Sequence, residues 1–182
     1  SFACEKNLVD SEVMLKLLEE KGYKFTDDET EADVIVINTC CFIGDAKEES
    51  VNTILEMAEY RKSGSCKALI VTGCLAQRYQ KEILDEIEEV DAVLGTASYD
   101  AIAETVEKVL GGQKELHFES IDRLVPDQGG RVLTTGGHYA YLKIAEGCDK
   151  RCTYCIIPKL RGHFRSVPEE QLLAEAQRLA DQ

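Results

Sequence analysis

The segment "EGCDKRCTYC", residues 146–155, places three thiols, Cys148, Cys152 and Cys155, within eight positions. A closed structural zinc site takes four protein ligands, and a ferredoxin-type run supplies four thiolates. Three thiolates on an iron–sulfur cubane leave one iron without a protein ligand, and an open metal position is where chemistry happens. Such an iron can bind an amino-carboxylate chelate, polarise it and pass it an electron. Tyr154, between the second and third thiols, either offers a surface to a nucleobase or is an ordinary packing tyrosine. A zinc site would recruit His163 or His138 as fourth ligand, and neither completes a common zinc-finger spacing.

Three more cysteines share a different placement. Cys40 follows "VIVINT", Cys74 follows "ALIVTG", and Cys4 follows "SFA", read as the end of a first strand. Each sits where a strand hands over to a helix, and in an open parallel sheet those positions line the crevice at the carboxyl edge. In the flavodoxin-like order 2-1-3-4-5 the first three strands are neighbours. A strand spacing of about 4.8 Å then brings the three sulfurs within reach of one small cluster. Helix N-termini nearby favour thiolates. The competing reading is three core cysteines, a common fate of this residue. Cys41, adjacent to a ligand candidate, and Cys66, in the loop before its strand, read as incidental buried thiols.

These positions require a particular scaffold. Asn7 can cap a helix with Val9, Val13, Met14, Leu17 and Leu18 on one face, ended by Gly22. Residues 33–38 and 68–73 are continuous apolar runs of strand length. Helices are expected over 43–62, 78–89 and 98–110, with a short strand at 91–95. Continuous apolar strands alternating with helices imply a doubly wound parallel α/β domain, assigned to residues 1–112. Glycine pairs and Pro126 mark residues 113–138 as a connector with short strands at 115–118 and 131–134. Residues 139–147 read as a strand, followed by the cysteine loop and a helix from near Ser166, where Ser166 to Glu169 has the form of a capping box. One strand–loop–helix unit cannot bury its own faces, so 139–182 reads as the start of an incomplete second domain.

The bulk numbers exclude several classes. At 44% hydrophobic and 30% charged, the 182 residues describe a globular chain. No apolar run approaches the roughly 18 residues of a membrane helix, and no signal peptide is visible. A cytoplasmic protein with reduced thiols is expected, which argues against pairing the eight cysteines as disulfides. The net charge of −13 argues against a general nucleic-acid coat. Between residues 150 and 165, however, Lys150, Arg151, Lys159, Arg161 and Arg165 stand without an acidic residue. That stretch is either a solvated basic loop or an electropositive collar around the thiols.

Cys148-x3-Cys152-x-Tyr154-Cys155 resembles the radical S-adenosylmethionine (SAM) signature. With Cys4-Glu-Lys-Asn, Asn38-Thr-Cys40 and Thr72-Gly-Cys74 ahead of it, the chain is similar to the radical SAM methylthiotransferase family. Residues 4–12, 38–43 and 141–162 look most like the branch that methylthiolates an aspartate of a small-subunit ribosomal protein. The alternative branch modifies isopentenyladenosine in tRNA. Ala3 and Glu5 stand where the family usually has glycine and often proline, and neither change removes a ligand.

The resemblance implies a flavodoxin-like three-cysteine domain followed by the first unit of a truncated radical SAM barrel. It implies two 4Fe-4S clusters, on Cys4, Cys40 and Cys74 and on Cys148, Cys152 and Cys155, with S-adenosyl-L-methionine as cofactor and Tyr154 beside it. SAM cleaved reductively would give a 5′-deoxyadenosyl radical able to abstract hydrogen from an unactivated carbon. A reductant protein such as flavodoxin or ferredoxin is implied as a partner, and no membrane. The walls of the SAM pocket are expected beyond Gln182, which would leave these 182 residues inactive alone. The rival from another class is an iron–sulfur electron-transfer or metal-binding module without catalysis.

Overall fold

The structure, a computed structural model, describes residues 4–64 and 66–181. The stub expected to end a first strand, residues 1–3, lies outside the described residues.

Helix α1 (Glu5–Glu20) opens the description. Its N-cap is Cys4, whose sulfur accepts from the Asn7 N–H at 3.5 Å, so Asn7 is inside the helix and not its cap. The helix stops as expected before Gly22, which takes the left-handed φ of 85°. Strand β1 (Val34–Thr39), α2 (Gly44–Ser63), β2 (Ala68–Gly73), α3 (Cys74–Tyr79), α4 (Lys81–Glu86) and β3 (Ala92–Leu94) follow. A 3₁₀ turn at Tyr99–Ala101 leads into α5 (Ile102–Leu110), and β4 (Glu115–His117) completes the sheet. The single helix expected over 78–89 is instead two short ones. Gln80, at φ 44°, breaks the hydrogen-bond ladder between them.

The sheet is wholly parallel, in the order β1-β2-β3-β4. Alternate strand residues go to opposite faces. Leu69, Val71 and Val93 pack with Ile54 and Ala58 of α2, Leu75 of α3 and Ile83 of α4. Ala68, Ile70, Ala92 and Leu94 pack with Met14 and Leu18 of α1 and Ile102 and Val106 of α5. Both faces are covered, as the unbroken apolar strands required. One detail of the expected order is corrected. β1 and β2 pair directly from Val34↔Ala68 to Thr39↔Gly73, which closes the slot that a 2-1-3-4-5 order gives to a first strand between them.

The rest of the chain holds β5 (Ala145–Glu146), α6 (Ile157–Arg161), β6 (Arg165–Ser166) and α7 (Glu169–Asp181). The strand expected over 139–147 is reduced to β5, paired antiparallel with β6, and none forms over 131–134. An extended segment becomes a strand only where a neighbour satisfies its N–H and C=O groups. α7 buries none of its described residues, and in this part of the chain Tyr139, Leu142, Ile144, Phe164 and Leu173 are exposed. Among the described residues, no helix is long and apolar enough to cross a membrane.

Candidate metal centre

The register of β1 and β2 sets Thr39 opposite Gly73, so the next residues, Cys40 and Cys74, leave the sheet side by side. Gly73 is required there. Its φ is 90°, and a Cβ would collide with Asn38 Oδ1 and stand 2.5 Å from the Thr39 carbonyl oxygen. Cys4 reaches the same edge from the start of α1. Asn7, fully buried, touches Cys4, Cys74 and the strand end just before Cys40. Its N–H donates to Cys4 Sγ at 3.5 Å, its Nδ2 donates to the Thr39 carbonyl at 3.0 Å, and its Oδ1 accepts from Cys74 Sγ at 3.9 Å. Ser50 of α2 clamps Cys40, accepting from its N–H at 3.0 Å and donating to its carbonyl at 2.8 Å. Burial pushes the Cys74 thiol up to about 11, against the pull of the Arg161 guanidinium beside it.

Cys41 and Cys66 are both buried, and burial raises both thiols. The Cys66 thiol donates to the Ala68 carbonyl at 3.0 Å, in the wall of the sheet. Cys41 lies in the core cluster that includes Cys74, with Arg78 beside it.

The second set sits on a loop pinned at its base. Cys148 N–H donates to the Gly162 carbonyl at 3.0 Å, and Phe164 N–H donates to Asp149 at 3.1 Å. Gly147, at φ 75°, lets the strands of this base close, since a Cβ would run into the His163 carbonyl. Within the loop, Cys155 N–H turns back to the Cys152 carbonyl at 3.0 Å. Cys148 and Cys155 are half-buried, Cys152 is exposed, and Tyr154 is 90% exposed. The histidines considered as zinc ligands have other neighbours: His163 Nδ1 lies 3.0 Å from Asp122, and His138 meets the Tyr139 ring edge-on.

The basic collar divides. Lys150, Arg151 and Lys159 are exposed, while Arg165 caps the Arg161 and His163 carbonyls. Arg161 turns inward and is buried. It donates to Asp10 at 2.8 Å, to Glu146 at 2.9 Å and to Asn7 Oδ1 at 2.5 Å. Lys143 and Lys6 complete this network, at 2.5 Å from Asp10 and 2.8 Å from Glu146. Leu160, its neighbour, joins the core cluster of Cys74, and its carbonyl accepts from Thr96 Oγ1 at 2.6 Å. Thus α6 seats on the carboxyl edge of the sheet. Sequence reading missed Arg161 and Asn7 as site residues, because their partners are 151 and 154 positions apart in the chain.

Among the described residues, no three His, Cys, Asp or Glu side chains are gathered for a single metal ion. Soft thiols at one edge fit a group of a different size. A cubane takes one thiolate per iron, so its ligands need not converge on a point. The first set, gathered at one sheet edge, fits such a cluster, and the 148–155 loop supplies three thiols of the same type.

The chain matches the family described as "Uncharacterized protein family UPF0004" over residues 1–95, more than half its length. The chain belongs to that family. Its matched span holds Cys4, Cys40 and Cys74. The chain is also 66% identical over 181 residues to "Ribosomal protein uS12 methylthiotransferase RimO" of Lachnoclostridium phytofermentans, covering all of this chain and 41% of the relative. Proteins of the same name from Desulforamulus reducens and Trichlorobacter lovleyi are 50% and 49% identical, over 100% and 98% of this chain and 41% and 40% of theirs. The chain therefore spans about two fifths of the length of the curated relatives it matches. The resemblance to methylthiotransferases is borne out along the whole chain, and these relatives carry the ribosomal-protein name.

Proposed function

We propose that this chain carries the two cysteine sets of a radical SAM methylthiotransferase that adds a methylthio group to an aspartate of ribosomal protein uS12. The observation that carries the reading is the meeting of Cys4, Cys40 and Cys74 around Asn7 at one sheet edge, under a helix that follows Cys155. In this reading residues 1–112 are the three-cysteine domain, 113–138 the connector, whose first residues add β4 to that domain's sheet, and 139–182 the start of the SAM-binding domain.

Cys148, Cys152 and Cys155 would hold one 4Fe-4S cluster, and Cys4, Cys40 and Cys74 a second. Bound there, the clusters supply one-electron reduction of SAM and a seat for the transferred sulfur. The protein's own residues position and shield. Asn7 and Ser50 hold the first set in place, and the exposed 148–155 loop leaves room for the amino-carboxylate of SAM, with Tyr154 available to its adenine. A small cytoplasmic reductant such as flavodoxin or ferredoxin fits the electron demand.

The test is mass spectrometry of uS12 and tRNA from cells lacking the full-length gene. Loss of the methylthio group from the uS12 aspartate, restored by the wild-type gene and not by Cys148→Ala, is expected. Unchanged uS12 with loss of the tRNA modification overturns the substrate; no change in either overturns the activity.

A further inference from the structure

We infer that Arg161, carried on the helix after the second cysteine set, is the positioning residue that holds the first set in its ligating arrangement. The inference rests on the reading of Cys4, Cys40 and Cys74 as cluster ligands.

The Asn7 amide faces both strand ends. An amide can point either way, and its hydrogen-bond partners decide. Nδ2 must face the Thr39 carbonyl for Asn7 to hold the strand end that leads into Cys40. The Arg161 guanidinium has only donors, so its 2.5 Å bond to Oδ1 selects that orientation. Cys74 shares Asn7 Oδ1 with the same guanidinium, the thiol lying 3.9 Å from that oxygen. Its own aim is fixed by two carboxylates from separate parts of the chain, Asp10 on α1 and Glu146 on β5. A planar fork with this many partners is something lysine cannot reproduce. Residues 145–161 are therefore a structural part of a site whose thiols all lie before residue 75.

The variants should fold. Without Arg161, Asp10 keeps Lys143 and Glu146 keeps Lys6, so neither buried carboxylate is stranded. The charge at the first site does change. Removing a cation beside a thiolate cluster makes its reduction less favourable.

The experiment uses the full-length protein with Cys148, Cys152 and Cys155 changed to alanine, so that iron binds at the first site alone. After anaerobic reconstitution, iron and sulfide per chain, the electron paramagnetic resonance signal and the reduction potential are measured for this parent and for Arg161→Gln, Arg161→Lys and Arg131→Gln. Arg161→Gln should lose at least half the iron and shift the remaining cluster to a more negative potential. Arg161→Lys should keep more iron but show an altered signal, and Arg131→Gln, which lies in a different buried network, should keep the parent's iron and signal even where it lowers stability. If Arg161→Gln does not fold, the lysine variant decides. Parent-like iron and signal in the Arg161 variants overturn the proposal. A parent that binds no iron overturns the cluster reading beneath it, a result distinguishable from the first.

Discussion

Arg131 and Glu12 allow a test of how the two halves of the chain are held together. Both side chains are almost wholly buried, at 3% and 2% exposure, and Arg131 Nε lies 2.8 Å from Glu12 Oε2 without the alignment of a hydrogen bond. Their remaining partners differ. Arg131 also meets Glu175 at 2.7 Å and donates to the Tyr141 carbonyl, while Glu12 accepts from Thr134 N–H at 2.8 Å and Oγ1 at 2.9 Å. Changing Arg131 to methionine leaves Glu12 a buried carboxylate with only neutral donors, which costs about 3–5 kcal/mol. Changing Glu12 to glutamine keeps an acceptor for Thr134 and leaves Arg131 its second carboxylate, so the loss is nearer 1–3 kcal/mol, roughly that of a disturbed buried hydrogen bond. For a domain of this size roughly 2–4 °C of Tm accompanies each kcal/mol. The arginine variant should therefore melt roughly 6–20 °C below the parent. Urea unfolding of both variants gives the two free energies directly. A loss below about 1 kcal/mol for Arg131→Met, the median for an exposed pair, would refute the reasoning. So would the reverse order of the two variants.

Four further outcomes follow from the same geometry. Gly73→Ala should destabilise by about 1–3 kcal/mol, since it forces an L residue into positive φ against Asn38, and chemical denaturation measures it. Ser50→Ala removes both backbone bonds to Cys40 and should cost about 1–3 kcal/mol, with a decrease in iron retained after reconstitution. Cys74→Ser should lower bound iron while Cys66→Ser should not, because the Cys66 thiol faces the Ala68 carbonyl; equal loss in both would sink the ligand assignment. Burial opposes ionisation of Glu146, but Arg161 and Lys143 hold its carboxyl down at about 2. A carboxyl depressed on folding contributes stability that is present above its unfolded pKa of about 4.3 and lost as pH falls toward 2. The contribution is on the order of 3 kcal/mol. Unfolding free energies measured from pH 6 to pH 3 should fall more steeply for the parent than for Glu146→Gln, and parallel curves would contradict the assignment.

The parallel sheet and its covered faces were legible because "VIVINT" and "ALIVTG" are apolar without alternation, and only strands buried on both sides need that. The same runs located Cys40 and Cys74 at strand ends. The polar side of α1 was not legible. Periodicity reports where apolar residues fall, and it found Val9, Met14 and Leu18, but it treats Asn7, Asp10 and Glu12 as solvent-facing by default. All three are buried against Arg161, Lys143 and Arg131, whose positions no local window contains. Asn7 was read as a cap for a related reason: Asn is a common N-cap, whereas here a cysteine sulfur takes the role. The break at Gln80 carries no glycine or proline to announce it, and β5 depends on a partner strand that pattern alone does not reveal.

Helix α1 also has a history within each round of synthesis. Asp10 leaves the ribosome 151 residues ahead of Arg161, and Glu12 leaves 122 residues ahead of Thr134. At elongation rates of about 5–20 residues per second, the first interval lasts about 8–30 s. Throughout it Asp10 lacks its arginine, and the edge bearing Cys4, Cys40 and Cys74 lacks the cover of α6. The nascent sheet thus presents this edge to solvent for many seconds before the later chain closes over it.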